Sequence, residues 1–275
     1  MPVTDPLLSL TARLRAVGCV FAEQEAAELF AAAPDPAHRE ELLRRREAGE
    51  PLEQVVGQVV FGTLRLSVGA GVFVPRQRSL LLARAATAAA RRQREPVLLE
   101  AFAGVAPVAA AVRSAVPSVE VHASDVDDRA LRHAAINLGD HLALHRGDVL
   151  TALPRSLRSR VTLLVAVPPY VPVTARDQLS REARDYEPAR ALFGGPDGLA
   201  HVRSLLDQVE PWLAPDGQVL VELHRDQWPA AAAHARGRGL RAARRRDGRD
   251  GQTALLCLQP VLPGAAVRPT GRGPA

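Results

Sequence analysis

One apolar run that ends in two prolines constrains the fold of this chain more than any other stretch. Residues 161–170 read VTLLVAVPPY. A run this rich in valine, leucine and alanine predicts a strand that is buried on both faces, and the prolines must end it. In open α/β sheets, ligands bind just beyond the carboxyl ends of the parallel strands. The sequence therefore predicts an α/β fold with its chemistry at residues 167–170.

The turn that follows this strand has the groups needed to bind a planar ligand. Two consecutive prolines fix the backbone, so their carbonyl groups are held rigidly. The tyrosine adds an aromatic face beside these carbonyls, which suits an amide or a base. We therefore take Val167, Pro168, Pro169 and Tyr170 as the candidate catalytic residues.

A second motif precedes this strand in the sequence. Residues 96–100 form a short apolar strand that ends in Glu100, and a loop with Gly104 leads into a predicted helix at 108–115. Strand, acidic residue, glycine loop and helix make up the opening unit of nucleotide-binding α/β domains. Glycine there lets backbone amides approach a ligand closely. Glu100 and Gly104 are therefore candidate cofactor-binding residues.

Two aspartates follow the next two predicted strands. Asp125 lies 25 positions after Glu100, near the interval at which a carboxylate meets ribose hydroxyl groups in such folds. The alternative is that Asp125 merely lies near a helix N-cap formed by Asp127 or Asp128. We favour ribose binding for Asp125 and helix capping for Asp127. Asp148 ends the third predicted strand, where the residues alone allow the role of a turn aspartate ahead of a helix.

In order and spacing, these motifs resemble the release-factor glutamine methyltransferase family (HemK/PrmC-like). VPPY at 167–170 resembles the family's Asn-Pro-Pro-Tyr, and residues 74–76 match its Val/Ile-Pro-Arg. Further matches are Glu-Pro at 187–188 and GGPDGL at 194–199. The resemblance extends over about residues 7–258. It implies a class I, Rossmann-like fold with a seven-stranded sheet, preceded by a small N-terminal helical domain.

The resemblance also implies a cofactor and roles for the candidate residues. S-adenosylmethionine would be held by the acidic residue and glycine loop at 100–104 and by Asp125, with Asp148 beside the adenine amino group. In the family, the asparagine side-chain oxygen and the first proline carbonyl accept hydrogen bonds from the substrate amide. The tyrosine packs against the amide plane. Pro168 and Tyr170 keep these groups.

The chain departs from the family at three places. Val167 stands where the family has asparagine, so one amide acceptor is missing. Of the family's Gly-x-Gly-x-Gly loop only Gly104 is kept, and we expect Val105 and Pro107 to crowd the space for the cofactor's amino-acid end. Pro107 has an alternative role in the first turn of a helix. Gln-Arg-Ser-Leu at 77–80 stands where the family has a stretch with acidic residues.

Composition limits the classes of partner. All 35 basic residues are arginine and the formal net charge is +5, but aromatic residues are only 4% of the chain, so the pattern argues against a nucleic acid partner. The two cysteines match no metal or redox spacing, and no metal site is predicted. No apolar run approaches a membrane span and no secretory signal is found, so we expect a cytoplasmic protein.

The order of the segments predicts a domain division and two functions. Residues 1–50 are expected to form a helical bundle, 51–78 a linker and β-hairpin, 79–260 the Rossmann-like domain, and 261–275 a disordered tail. The first function is an S-adenosylmethionine-dependent methyltransferase acting on an amide nitrogen in a protein such as a release factor. The alternative is a degenerate member that has lost methyl transfer and serves as a binding partner or in other chemistry.

Overall fold

The N-terminal part of the chain is a small helical bundle. The structure is a computed structural model and describes residues 5–139 and 143–261. Four helices come first: α1 Pro6–Ala16, α2 Ala22–Ala32, α3 Pro36–Glu47 and α4 Leu52–Val56. They pack around a core that includes Leu14, Leu29 and Leu43, each fully buried. The predicted disordered tail lies, except for Val261, outside the described residues.

A short antiparallel hairpin joins the bundle to the main domain. It consists of β1 Gln58–Phe61 and β2 Leu64–Ser67, and Phe61 pairs with Leu64 across the turn. Gly62 in this turn has φ of 63°, a left-handed conformation that glycine adopts without strain. The buried residues of the hairpin belong to the core of the main domain.

The main domain is built on a seven-stranded sheet, as predicted. Its strands are β3 Val97–Ala101, β4 Glu120–Asp125, β5 Ala143–Arg146, β6 Val161–Ala166, β7 Leu213–His224, β8 Leu240–Asp247 and β9 Thr253–Pro260. Their order across the sheet is β5-β4-β3-β6-β7-β9-β8. The first five in this order are parallel, whereas β9 runs antiparallel to both β7 and β8.

Helices cover the sheet on both faces. They are α5 Leu80–Ala90, α6 Pro107–Ala115, α7 Asp128–Leu138, α10 Ala200–Gln208 and α11 Trp228–Gly237. Two short helices, α8 Arg181–Tyr186 and α9 Ala189–Leu192, lie in the segment between β6 and α10. Two separate apolar cores result, one on each face of the sheet. Among the described helices, none is long and apolar enough to cross a membrane.

Strand β6 lies at the centre of the sheet because its side chains are apolar on both faces. Val165 packs in one core, and its neighbours Leu164 and Ala166 pack in the other. The strand ends before Pro168 and Pro169, which cannot donate the amide hydrogen bonds that a central strand needs. Because β6 lies between β3 and β7, the residues that follow these parallel strands meet at one edge of the sheet.

Candidate active site

A cavity of about 380 Å³ opens at the carboxyl edge of the parallel strands. This volume is within the usual range for sites that bind small molecules. Seven of the eight candidate residues line it: Gly104, Asp125, Asp148, Val167, Pro168, Pro169 and Tyr170. Glu100 is the exception.

The loop after β3 keeps an alternating left-handed backbone although it has only one glycine. Phe102, Gly104 and Ala106 have φ of 52°, 54° and 59°. A left-handed residue other than glycine costs roughly 1 to 2 kcal/mol. A side-chain carbon added at Gly104 would meet nothing within 4 Å, so the backbone borders open space. A ligand can therefore approach this backbone closely.

The expectation that Val105 and Pro107 crowd the cofactor site is wrong. Val105 is 1% exposed and its side chain packs in the apolar core. Pro107 is also buried and begins α6, which is the alternative role given by its fixed φ and missing amide hydrogen. Neither residue lines the cavity. The side chain that does so is Phe102, whose ring meets the His201 ring edge-on with 5.6 Å between centroids.

Glu100 lies behind this loop. Its carboxylate accepts hydrogen bonds from the backbone amides of Val108 at 3.3 Å and Ala109 at 2.6 Å, in the first turn of α6. Burial raises the pKa of Glu100 to about 8, although the two amide donors oppose that shift. The contacts of Glu100 fix the loop to the helix. A direct contact with a cofactor stays a prediction.

Asp125 connects two loops at the cavity wall. Its Oδ2 accepts the amide hydrogen of Gly104 and its Oδ1 that of Asp127, both at 2.8 Å. Burial is the main cause that raises the pKa of Asp125. Because each carboxylate oxygen can accept a second hydrogen bond, Asp125 can still accept from hydroxyl groups in the cavity. Asp127 is the N-cap of α7, as favoured from the sequence, and accepts from the Arg129 amide at 3.0 Å.

Side chains of Gln227 and Arg78 contact the Pro-Pro-Tyr turn. Its tyrosine carbonyl accepts a hydrogen bond from Gln227 Nε2 at 2.9 Å. The Tyr170 ring lies under the guanidinium of Arg78, 5.9 Å from its centroid. Burial, the largest cause, raises the pKa of Tyr170, so its phenol stays protonated at neutral pH. Val167 is half-buried and packs against the core, so it brings no polar group to the cavity.

The GGPDGL segment at 194–199 packs directly on this turn. Gly194 approaches the Pro169 carbonyl so closely that a side-chain carbon would lie 2.4 Å from its oxygen. At Gly198 the corresponding distance to the Tyr170 oxygen is 2.1 Å, and φ is 75°. A glycine-rich loop at this place can cover the substrate or serve as a structural loop. The contacts give it a structural role, because two of its glycines let its backbone support the turn.

We expect Gly198→Ala to destabilise the protein by at least about 2 kcal/mol, because it adds a steric overlap to an unfavourable φ. Chemical denaturation measures this loss. Gly237→Ala is the matched control, since a side-chain carbon there meets nothing within 4 Å and the residue ends helix α11. Equal stabilities of the two variants would contradict the close packing.

A partly buried ion pair lies at one side of the cavity, where Arg76 lines it. Arg76 Nη2 donates to both carboxylate oxygens of Glu187, at 2.8 and 2.7 Å, and the Val74 amide donates to Glu187 Oε1 at 3.1 Å. Burial raises the pKa of Glu187, whereas Arg76 opposes the shift. The pair joins the Val-Pro-Arg motif to the Glu-Pro motif, which are more than 100 residues apart in sequence.

Glu222 is a cavity residue to which the sequence assigned no role. It follows the apolar residues of β7 and is 0% exposed, yet it lines the cavity. Its Oε1 accepts from Ser79 Oγ at 3.1 Å and lies 3.8 Å from Arg78 Nε. Its Oε2 has no hydrogen-bond partner among the described residues. The sequence signal that could have identified Glu222 is a carboxylate near the carboxyl end of the strand beside the Pro-Pro-Tyr turn.

We expect Gly104→Ala to weaken binding of S-adenosylhomocysteine, measured by calorimetry, because its methyl group would occupy open space at the cavity wall. The left-handed backbone should also cost about 1 kcal/mol of stability. Gly251→Ala is the matched control, with φ of 68°, open space around the new methyl group and a position outside the cavity. A similar loss of affinity in both variants would contradict the placement of Gly104 at a ligand.

Curated relatives resemble the chain over most of its length. A release factor glutamine methyltransferase of Streptomyces coelicolor is 40% identical over 68% of this chain and 66% of its own length, just under two thirds. The protein of the same name from Mycolicibacterium smegmatis is 35% identical over 75% and 74% of the two chains. That from Deinococcus radiodurans is 33% identical over 74% and 73%. No protein-family model matches the chain.

Solved structures confirm the predicted class I methyltransferase fold. The ribosomal protein L11 methylase of Lactobacillus delbrueckii subsp. bulgaricus aligns with a TM-score of 0.51 at 16% identity, over 71% of this chain and 83% of its own. The catalytic domain of hMettl16, solved with an RNA hairpin, aligns with a TM-score of 0.55 at 13% identity, over 86% and 84%. At these identities the likeness concerns the fold alone.

Proposed function

The chain belongs to the release factor glutamine methyltransferase family, and from this premise we propose that it transfers a methyl group from S-adenosylmethionine to a glutamine side-chain amide in a release factor. The observation that carries the proposal is the cavity at the carboxyl edge of the sheet. Residues from the glycine loop, the second strand and the Pro-Pro-Tyr turn all line it. A cytoplasmic location belongs to the same proposal.

The residues at the cavity fit the cofactor. The backbone at Gly104 borders open space, and Asp125 has acceptor capacity left for the two ribose hydroxyl groups. Asp148 is exposed at the cavity edge, where its carboxylate would accept from the adenine amino group. When bound, S-adenosylmethionine supplies a methyl group on a positively charged sulfur. Phe102 bounds the space for the remainder of the cofactor.

The Pro-Pro-Tyr turn would orient the substrate amide. The Pro168 carbonyl accepts one amide hydrogen, and the Tyr170 ring packs against the amide plane. Fixing the amide in this way lowers the entropic cost of bringing its nitrogen to the methyl group. The turn needs no rearrangement to do so, because Gln227 and the GGPDGL segment already hold its backbone.

One observation favours the alternative, a protein that has lost methyl transfer. Val167 offers no acceptor for the second amide hydrogen, and loss of one positioned polar group of this kind typically costs about 2.7 to 4 kcal/mol in catalysis. The open cavity favours the transferase, because a protein without a cofactor has no need for open space beside Gly104.

The test combines binding and turnover. We expect S-adenosylhomocysteine to bind in calorimetry, and the release factor of Streptomyces coelicolor to gain one methyl group on a glutamine in the presence of S-adenosylmethionine. Mass spectrometry of the digested release factor locates the methyl group. Absence of binding up to millimolar ligand would support the alternative. Binding without methylation of the release factor would overturn the proposed substrate.

A further inference from the structure

Glu222 occupies the position next to Val167 on the neighbouring strand. The last pair of residues in the parallel register of β6 and β7 is Ala166 with Val221. Val167 and Glu222 are the next residues of their chains. Val167 is the first residue beyond β6, whereas Glu222 is still within β7 and pairs with Leu255 of β9. The two residues lie side by side at the edge where the cavity opens.

The two side chains also lie on the same face of the sheet. Val165 and Leu220, two residues earlier on each strand, pack in the same apolar core. Side chains two residues apart on a strand point to the same face. Val167 and Glu222 therefore both belong to that face, and Val167 does pack against that core. The carboxylate of Glu222 thus stands beside the position where the family has asparagine.

The hydrogen bonds of Glu222 leave one oxygen available. Oε1 accepts from the Ser79 hydroxyl, while Oε2 is buried without a partner among the described residues. A buried carboxylate oxygen without a donor has lost its water and gained no hydrogen bond in return, which is unfavourable. Because Glu222 lines the cavity, a donor on a bound substrate can supply the missing hydrogen bond.

The proposed reaction produces a proton that needs an acceptor. The nitrogen lone pair forms the new bond to the methyl carbon, and the carbon–sulfur bond breaks with its electron pair going to sulfur. The nitrogen then carries one hydrogen too many and a positive charge, while the sulfur becomes neutral. A carboxylate in contact with the nitrogen takes this proton and becomes a neutral carboxylic acid, so atoms and charges balance.

We propose that Glu222 is a further catalytic residue, whose Oε2 accepts a hydrogen bond from the acceptor nitrogen and takes its proton during methyl transfer. This inference rests on the proposed function and deepens it. Glu222 supplies the polar acceptor that Val167 does not, from the adjacent strand. It also fixes the substrate class, because the acceptor nitrogen must carry a hydrogen to donate.

The ionisation of Glu222 suits this role. Burial raises its pKa to about 7, whereas Ser79 and Arg78 oppose the shift and the charge of Asp250 adds to it. Tyr170 is the other titratable group facing it, and is neutral near pH 7. A general base works best with a pKa close to the working pH. Because only the carboxylate can take the proton, the rate should rise with pH through about 7 and then level off.

The experiment compares wild type with Glu222→Gln in the methylation of the Streptomyces coelicolor release factor. Glutamine keeps the size of the side chain and its hydrogen bond with Ser79. We expect the rate to fall about 100-fold, as for loss of a general base, and the rise of the rate with pH to disappear. Affinity for S-adenosylhomocysteine should change less than twofold. Glu210→Gln is the matched control, because Glu210 is exposed and lies just before the amino end of β7, away from the cavity.

A second readout does not depend on turnover. The infrared difference spectrum between wild type and Glu222→Gln isolates the Glu222 carboxyl band and follows its titration with pH. In the presence of S-adenosylhomocysteine, we expect the release factor to shift that titration. Arg78→Gln should raise the midpoint, because it removes a positive charge 3.8 Å from Oε1.

The outcomes separate the two proposals. A Glu222→Gln rate and pH profile within twofold of wild type would overturn the role of Glu222 while leaving the methyltransferase intact. If wild type does not methylate the release factor, the proposed function fails. The infrared titration then still decides whether a bound release factor meets Glu222, and an unshifted band would overturn the inference.

Discussion

Asp125→Ala is expected to weaken binding of S-adenosylhomocysteine by about 10- to 100-fold, because hydrogen bonds to a charged acceptor contribute about 1.5 to 3 kcal/mol. The change removes the proposed ribose acceptor. It also leaves the amides of Gly104 and Asp127 without the partner that holds both loops at the cavity wall. Calorimetry gives the affinity, and thermal unfolding with and without ligand shows whether the fold persists.

Asp128→Ala is the matched control for Asp125→Ala. It removes the same charge three residues away, from an exposed pair with Arg132 outside the cavity. Its affinity for the ligand should stay within twofold of wild type. An Asp125→Ala protein that is folded and binds as tightly as Asp128→Ala would return Asp125 to a purely structural role.

Val167→Asn is expected to raise the rate of methyl transfer to the release factor by about 100-fold. The new amide oxygen would hold the second amide hydrogen together with Glu222, and a positioned polar group of this kind changes rates by two to three orders of magnitude. Asparagine is no larger than valine, and position 167 is half-buried and lines the cavity, so the fold should tolerate the longer polar side chain.

Val167→Ala distinguishes the effect of a new hydrogen-bond acceptor from the effect of a smaller side chain at this position. It shortens the side chain without adding a polar atom, so we expect the rate to stay near that of wild type. Steady-state kinetics with the release factor measures both variants. A Val167→Asn rate equal to or below that of wild type would contradict the assignment of this position to the substrate amide. An equal rise in both variants would mean that crowding limits the wild-type rate.

The central part of the fold could be predicted because its signals are local. The apolar run of β6 and its terminal prolines indicate a buried parallel strand, and the edge at which it ends follows from the topology. Strand β8 could not be located in the same way. It reads LRAARRRD, and its arginine-rich pattern lacks the apolar alternation of a strand. Its position comes from pairing with β9.

The number of glycines in the cofactor loop did not predict its backbone conformation. The sequence shows one glycine where the family has three, which predicted a crowded site. The backbone nevertheless adopts left-handed conformations at Phe102 and Ala106 as well as at Gly104. Packing of the buried side chains of Val105 and Ala106 in the core offsets the cost of this backbone. Such a balance depends on contacts between distant residues and has no local sequence signature.

Glu100 and Glu222 show why site residues were harder to predict than strands. Each carboxylate follows an apolar run near the carboxyl end of its strand, so the two look alike in sequence. Glu100 turns towards the amides of α6, behind the loop, whereas Glu222 lines the cavity. Only the loop that follows each strand decides between these surroundings.

The contacts that hold the Pro-Pro-Tyr turn affect how an enzyme of this kind can change its substrate. The side-chain amide of Gln227 binds the Tyr170 carbonyl, and Gly194 and Gly198 pack against the carbonyl groups of the turn. The path of the chain at this corner is therefore insensitive to the side chain at 167. A substitution there alters the preference for one acceptor over another without a penalty in folding, so chemistry and architecture can vary independently.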